Sequence, residues 1–267
     1  MGLSRDLKTA LSASRSIRAV LVPDSNELLI VFSPMAQGYK QPKRFALFNE
    51  IVEPKFNRLH LRDMNGLWYF KGLDRLGNSL CESIEILRRV VDEGGFSSVV
   101  ILGLSSGSHA AFVTGTKIRV DAVICVGCRF DLSRETRERS LRAGTEKQTQ
   151  MEMLWIDPKI DRRHLRAREA ADETAAAESP VRLYYDPENT TDAFHAGFVE
   201  DLPYVSAVSC RGYGHDIHRL CEEVFRCDPH LAGSARFANR TERLDMKKMA
   251  AGAKLASALR ARQGAGG

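Results

Sequence analysis

The segment Ser98-Val-Val-Ile-Leu-Gly103-Leu-Ser105-Ser106-Gly107 sets a serine between two glycines in the pattern G-x-S-x-G. It follows a β-rich apolar run and precedes a stretch, His109 to Thr114, that can continue as a helix, which is the setting of a nucleophile at a sharp strand-to-helix turn. Such a turn strains the serine backbone, and neighbours without bulky side chains let it close. A serine hydroxyl is a poor nucleophile near neutral pH, so it needs a base and an acid that orients the base. For this turn the chain order is serine, acid, histidine. Arg211-Gly-Tyr-Gly214-His215-Asp-Ile-His218 places His215 on a glycine-rich loop, free to swing towards Ser105, and His215 is the candidate base. His218 reads as a surface or capping residue. His109 and His195 read as local hydrogen-bonding residues or as pocket lining.

The acid is expected on Asp186-Pro-Glu188-Asn-Thr-Thr-Asp192-Ala-Phe-His195. Asp192 is far enough from the preceding strand to turn back to His215 and is preferred. Asp186 stands before a proline, a place that suits a turn, and is the alternative acid; Glu188 is third. An oxyanion hole needs two backbone N–H donors. One is assigned to Ser106, the residue after the nucleophile. The other belongs to Ser33-Pro34-Met35-Ala36-Gln37-Gly38, where Pro34 has no N–H; Met35 is preferred, with Ala36 next.

These groups need a scaffold that brings distant loops to one edge. Short apolar runs alternate with helical patterns, the signature of a parallel sheet with crossover helices. The predicted strands are Ile17–Val22, Leu28–Phe32, Arg58–Arg62, Ser98–Leu102, Ala122–Val126, Arg182–Tyr185 and Val205–Cys210. Ser79 and Glu82 form a capping box for a helix with Ile84, Leu87, Val90 and Val91 on one face, closed by Gly94. Leu220 to Phe225 belongs to another helix. Residues 129–180 hold eleven basic and eleven acidic residues, with Asp157-Pro158 as a helix start and Ala167–Ala177 as a helix-prone run. This reads as a helical insertion after the fifth predicted strand, either a lid or a solvated face. Trp68 and Tyr69, on a glycine-flanked loop after the third strand, are candidate substrate-binding rings; a hydrophobic plug under the loop is the equal alternative.

Composition narrows the class. The 267 residues are 43% hydrophobic and 27% charged, which excludes collagenous, coiled-coil and wholly disordered chains. No run approaches a membrane span, and the charged start lacks a signal-peptide core, so a cytoplasmic protein is expected. The net charge of +5 is unevenly placed. Residues 236–267 carry eight basic and two acidic residues, leaving the remainder near neutral, at −1. This basic, partly helical or disordered tail would support at most weak attachment to an anionic surface, and nothing points to a nucleic-acid-binding core. Cys125 and Cys128 make a lone C-x-x-C within an apolar region, read as buried thiols. No metal or cofactor is expected. The domain proper is placed at residues 1–235.

The Gly-x-Ser-x-Gly turn, the Ser33–Gly38 loop and the His215 loop together resemble the α/β-hydrolase superfamily, over roughly residues 17–228. The resemblance implies an α/β fold with a mostly parallel sheet flanked by helices, Ser105 as nucleophile and His215 as base. Leu61-Arg-Asp-Met-Asn-Gly-Leu-Trp68-Tyr69 and Tyr-Tyr-Asp-Pro-Glu-Asn with Asp-Ala-Phe-His-Ala resemble a bacterial subgroup. Its members are associated with surface polysaccharides and accessory secretion, including the acyl-transfer proteins of the accessory Sec system. The chain lacks the HGGG form of the oxyanion motif. The implied function is a serine esterase or acyltransferase acting on a small-molecule or glycan acyl substrate. A catalytically inert partner in polysaccharide biosynthesis or secretion is the alternative.

Overall fold

The structure, a computed structural model, describes residues 2–35, 45–48, 50–52, 54–127, 129–142, 152–172 and 179–237. Cys128, Ala36 to Gly38 and nearly all of the basic tail lie outside them. In chain order the strands are Ile17–Val20 (β1), Glu27–Phe32 (β2), Ile51–Val52 (β3), Asn57–Leu61 (β4), Ser98–Leu104 (β5), Ala122–Val126 (β6), Val181–Tyr185 (β7), Val205–Ser209 (β8) and Arg236–Phe237 (β9). The order across the main sheet is β1-β4-β2-β5-β6-β7-β8, while β3 and β9 pair only with each other. Every pairing in the main sheet is parallel except β1 with β4. Each predicted strand is present, with ends shifted by at most two residues.

The central strands read as continuous apolar runs because both faces are covered. Leu28, Ile30 and Phe32 of β2 join one core, and Leu29 and Val31 join the other. The first core lies under Arg5–Ala13 (α1), Leu80–Gly94 (α2), Ser106–Lys117 (α3), Ala167–Asp172 (α6) and Thr190–Ala196 (α7). The second lies under Ile217–Cys227 (α8), which buries Leu220, Cys221, Val224 and Phe225. Ser79 caps α2 by accepting the Glu82 N–H, a contact worth about 1 kcal/mol. Glu82 Oε2 accepts from Asn78 rather than from Ser79, so the box is displaced by one residue. The helix ends one residue later than expected: Gly94 is helical, and Gly95 takes the left-handed conformation at φ 66°.

Of the insertion, Arg134–Arg142 (α4), Glu152–Ile156 (α5) and α6 are described. Asp157-Pro158 follows a helix instead of starting one. Asp157 closes a turn, its carbonyl accepting from Ile160 and its side chain from Lys159. A residue before proline is biased away from the helical region, which favours that turn. The insertion leaves and re-enters on a paired stem: Leu132 N–H donates to Leu165, Ala167 N–H donates to Phe130, and Asp131 bridges Arg166. Among the described residues no helix is long and apolar enough to cross a membrane.

Candidate active site

Leaving β5, Ser105 takes φ 50° and ψ −115°, a region costly to a residue with a Cβ. Two hydrogen bonds over-determine it: Ser105 N–H donates to the Val126 carbonyl at 2.8 Å, and Ser108 N–H donates to the Ser105 carbonyl at 2.9 Å. The flanking glycines are required by close approach. A Cβ on Gly103 would lie 2.7 Å from Ser108 Cα, and one on Gly107 would lie 2.4 Å from the Phe32 carbonyl oxygen. The start of α3 is thereby pressed against the end of β2, where the Ser33–Met35 loop departs. A side chain at Gly107 would push the start of α3 away from that loop, and one at Gly103 would push α3 off β5.

His215 reaches this turn from the loop after β8. Its Nε2 lies 2.9 Å from Ser105 Oγ, and its Nδ1 lies 3.0 Å from Asp192 Oδ2. A carboxylate at Nδ1 requires the proton there, which leaves the Nε2 lone pair to accept from the Ser105 hydroxyl. The structure therefore brings together the serine, histidine and preferred acid expected from the sequence. Asp192 is not on a loop, however. It lies in the first turn of α7, whose N-terminus is capped by Asn189 accepting the N–H groups of Thr191 and Asp192. The Asp192 side chain is fully buried, and its other oxygen, Oδ1, receives Arg129 Nη1 at 2.8 Å. Arg129 is the participant that sequence reasoning misses; it stands 63 residues from Asp192, with no local signal to join them.

Asp186 has different work. Its Oδ2 accepts the N–H groups of Tyr213 and Gly214 at 2.8 and 2.7 Å, and its Oδ1 accepts from Glu188 at 2.9 Å. These N–H groups, with Glu188 first, hold its carboxyl below the usual carboxylate range. Asp186 thus shapes the turn that carries His215, while Glu188 is exposed and enters only through its N–H. His218 is exposed, and Asp216 caps α8 by accepting the Arg219 N–H.

The two histidines with open roles are ties. His195 Nδ1 accepts the Phe130 N–H at 3.3 Å. His109 is fully buried on α3, with Nε2 2.7 Å from the His164 carbonyl and Nδ1 3.3 Å from the Arg129 carbonyl. A neutral imidazole has a single N–H, and the shorter contact makes Nε2 its donor, which ties α3 to the His164 side of the stem. Burial lowers the His109 pKa to about 4, outweighing the two carbonyls that raise it. The unfolded chain takes up this proton as the pH falls below about 6.5 and the folded chain does so only near 4, so stability present above pH 6.5 is lost across that window, by roughly 3 kcal/mol. Urea unfolding of wild type and His109→Gln at pH 7, 5.5 and 4.5 is expected to show the variant declining less steeply. Parallel declines would contradict this account.

Of the two readings of the aromatic loop, the geometry favours the plug. Trp68 and Tyr69 both have positive φ, 57° and 66°, in a turn organised by Asp63, which accepts the N–H groups of Asn65, Gly66, Leu67 and Tyr69. That conformation turns Tyr69 inward to 1% exposure, with its hydroxyl donating to the Ser33 and Leu61 carbonyls. Trp68 is 6% exposed and packs with Phe70, Leu132, Leu154 and Ile160. Both rings are packed under the loop, and Tyr69 leaves no face for a substrate to stack on. What Tyr69 holds is the strand end from which Met35 projects.

Met35 N–H, the expected second oxyanion donor, donates to Ser106 Oγ at 2.5 Å. Cys125 is buried in β6, its thiol pKa pushed up by burial, which suits a packing residue. Among the described residues no group of three or more His, Cys, Asp or Glu is placed to hold a metal ion.

No protein-family model and no curated protein matches this chain. Solved structures do. The capsule O-acetyltransferase of Neisseria meningitidis serogroup A, in complex with caged gadolinium, superposes with a TM-score of 0.59 at 12% identity, covering 78% of this chain and 89% of that one. A second structure of that O-acetyltransferase gives 0.51 at 14% identity, with the same coverages. MGS-M2, an α/β hydrolase from a Medee basin deep-sea metagenome library, gives 0.46 at 12% identity over 84% of this chain and 96% of that one. At such identities the likeness is one of fold. With seven strands in this order and the serine turn after β5, the chain has the α/β-hydrolase fold.

Proposed function

We propose that this chain is a serine hydrolase or acyltransferase that forms an acyl-Ser105 intermediate on an ester or thioester. The observation that carries the reading is the continuous hydrogen-bonded chain from Ser105 Oγ through His215 to Asp192. Ser105 Oγ bonds to the substrate carbonyl carbon while its proton passes to His215 Nε2, and the carbonyl electron pair moves onto oxygen. Collapse expels the alcohol or thiol, which leaves with the proton from His215. Water or an acceptor hydroxyl then enters by the same steps in reverse. Asp192 keeps the imidazole in the required tautomer and stabilises the imidazolium.

The favoured acceptor is a hydroxyl of a surface-glycan precursor. The fold shared with a capsule O-acetyltransferase and the sequence phrases around Trp68 and Asp192 support it. A cytoplasmic location belongs to the same proposal. The test is labelling of folded protein by a fluorophosphonate probe. Wild type is expected to label, and Ser105→Ala and His215→Ala to lose labelling while keeping the wild-type circular dichroism. Folded wild type that resists the probe would favour an inert hydrolase-like partner protein.

A further inference from the structure

Three serines crowd the start of α3, and their hydroxyls are used differently. That of Ser105 faces His215, and the single proton of Ser108 has the carbonyls of Gly103, Val126 and Gly127 within reach. Ser106 is 4% exposed, and its oxygen accepts the Met35 N–H. Its proton, by contrast, has no acceptor among the described residues. Buried hydroxyls normally pass their proton to a partner, so this one is available to a ligand as far as the described residues go. It belongs to the residue that follows Ser105 in the chain, and it already meets one of the two groups from which an oxyanion hole is expected, the Met35 N–H; the other is the N–H of Ser106 itself.

We propose that the Ser106 hydroxyl is itself an oxyanion donor, with the Met35 N–H acting through it. The Met35 N–H, held by a loop that Tyr69 anchors at Ser33, polarises the Ser106 oxygen and so strengthens its O–H as a donor. The oxyanion that forms when Ser105 attacks then receives the Ser106 N–H and the Ser106 O–H. No proton is transferred in this contact. The chain thereby builds its second donor from a side chain where HGGG-type loops supply backbone.

This inference rests on the acyl-Ser105 reading, and the experiment separates the two. With 4-nitrophenyl acetate, Ser106→Ala is expected to lower kcat about a hundredfold with little change in KM, as removal of one oxyanion donor does. Ser106→Thr, which keeps the hydroxyl, is expected to recover most of that loss. Inhibition by benzeneboronic acid, which forms a tetrahedral adduct on a reactive serine, should weaken in Ser106→Ala by the factor lost from kcat/KM. Fluorophosphonate labelling of wild type but not Ser105→Ala reports on the underlying reading. Ser106→Ala as active as wild type, or more active, would overturn the inference, since the hydroxyl would then merely occupy the Met35 N–H. Equal losses in the Ala and Thr variants would also overturn it, by pointing to packing. Wild type that neither labels nor turns over would overturn both readings.

Discussion

Asp192→Asn is expected to lower kcat by about 10³- to 10⁴-fold, because an amide donor opposite Nδ1 favours the tautomer with its proton on Nε2 and leaves Ser105 without a base. The backbone should tolerate the exchange, since α7 is capped by Asn189 and not by Asp192. Asp186→Asn provides the contrast. An amide oxygen can still accept from Tyr213 and Gly214, so the His215 loop keeps its shape and the loss should be far smaller. Steady-state hydrolysis of a 4-nitrophenyl ester by both variants decides the matter. A large loss in Asp186→Asn with activity retained in Asp192→Asn would exchange the two roles.

Arg129→Met is the second large effect, and it acts on stability as well as rate. The Asp192 carboxylate has no solvent exposure, and its Oδ1 is held by a guanidinium that is itself only 17% exposed. Removing the cation strands a buried charge, which typically costs about 3–5 kcal/mol. The cost arises from the lost partner, so it should shrink when the charge is removed too. Arg129→Met/Asp192→Asn is therefore expected to unfold at higher urea than Arg129→Met alone, with a favourable coupling in the double-mutant cycle. Additive destabilisation would show that the pair contributes little beyond its packing.

Much of the fold was legible because its causes are local. Strands covered on both faces read as apolar runs, and β6 runs from Ala122 to Val126 as expected. The turn at Ser105 is marked by glycines that answer a steric demand within a few residues. Other features have causes that lie far away in the chain. The carboxylates Asp186 and Asp192 share one segment, and only the folded geometry shows one holding backbone while the other meets His215. Seven-residue α7 is too short to reveal a helical period, so its acid looks like a loop residue. Arg129 and the Ser106 side chain act through contacts that span 63 and 71 residues. Nor do the residue types of Trp68 and Tyr69 announce two successive left-handed conformations, since the reason for them is Asp63 gathering four N–H groups.

The interlock between the insertion and the aromatic loop bears on how such a protein can be changed by recombination. Leu132, Leu154 and Ile160 from the insertion share a small core with Leu67, Trp68 and Phe70 from the loop before α2. The stem is tied to α3 through His109, whose Nε2 meets the His164 carbonyl, and its first residue, Arg129, pairs with Asp192. Residues 129–172 are therefore poor material for exchange as a cassette: cut out at the stem, they would carry away half of an apolar cluster and the cation of a buried pair. A donor insertion would have to bring apolar side chains that fit Trp68 and Phe70 and an arginine at its root, so this scaffold should be easier to alter by point substitution than by swapping the segment.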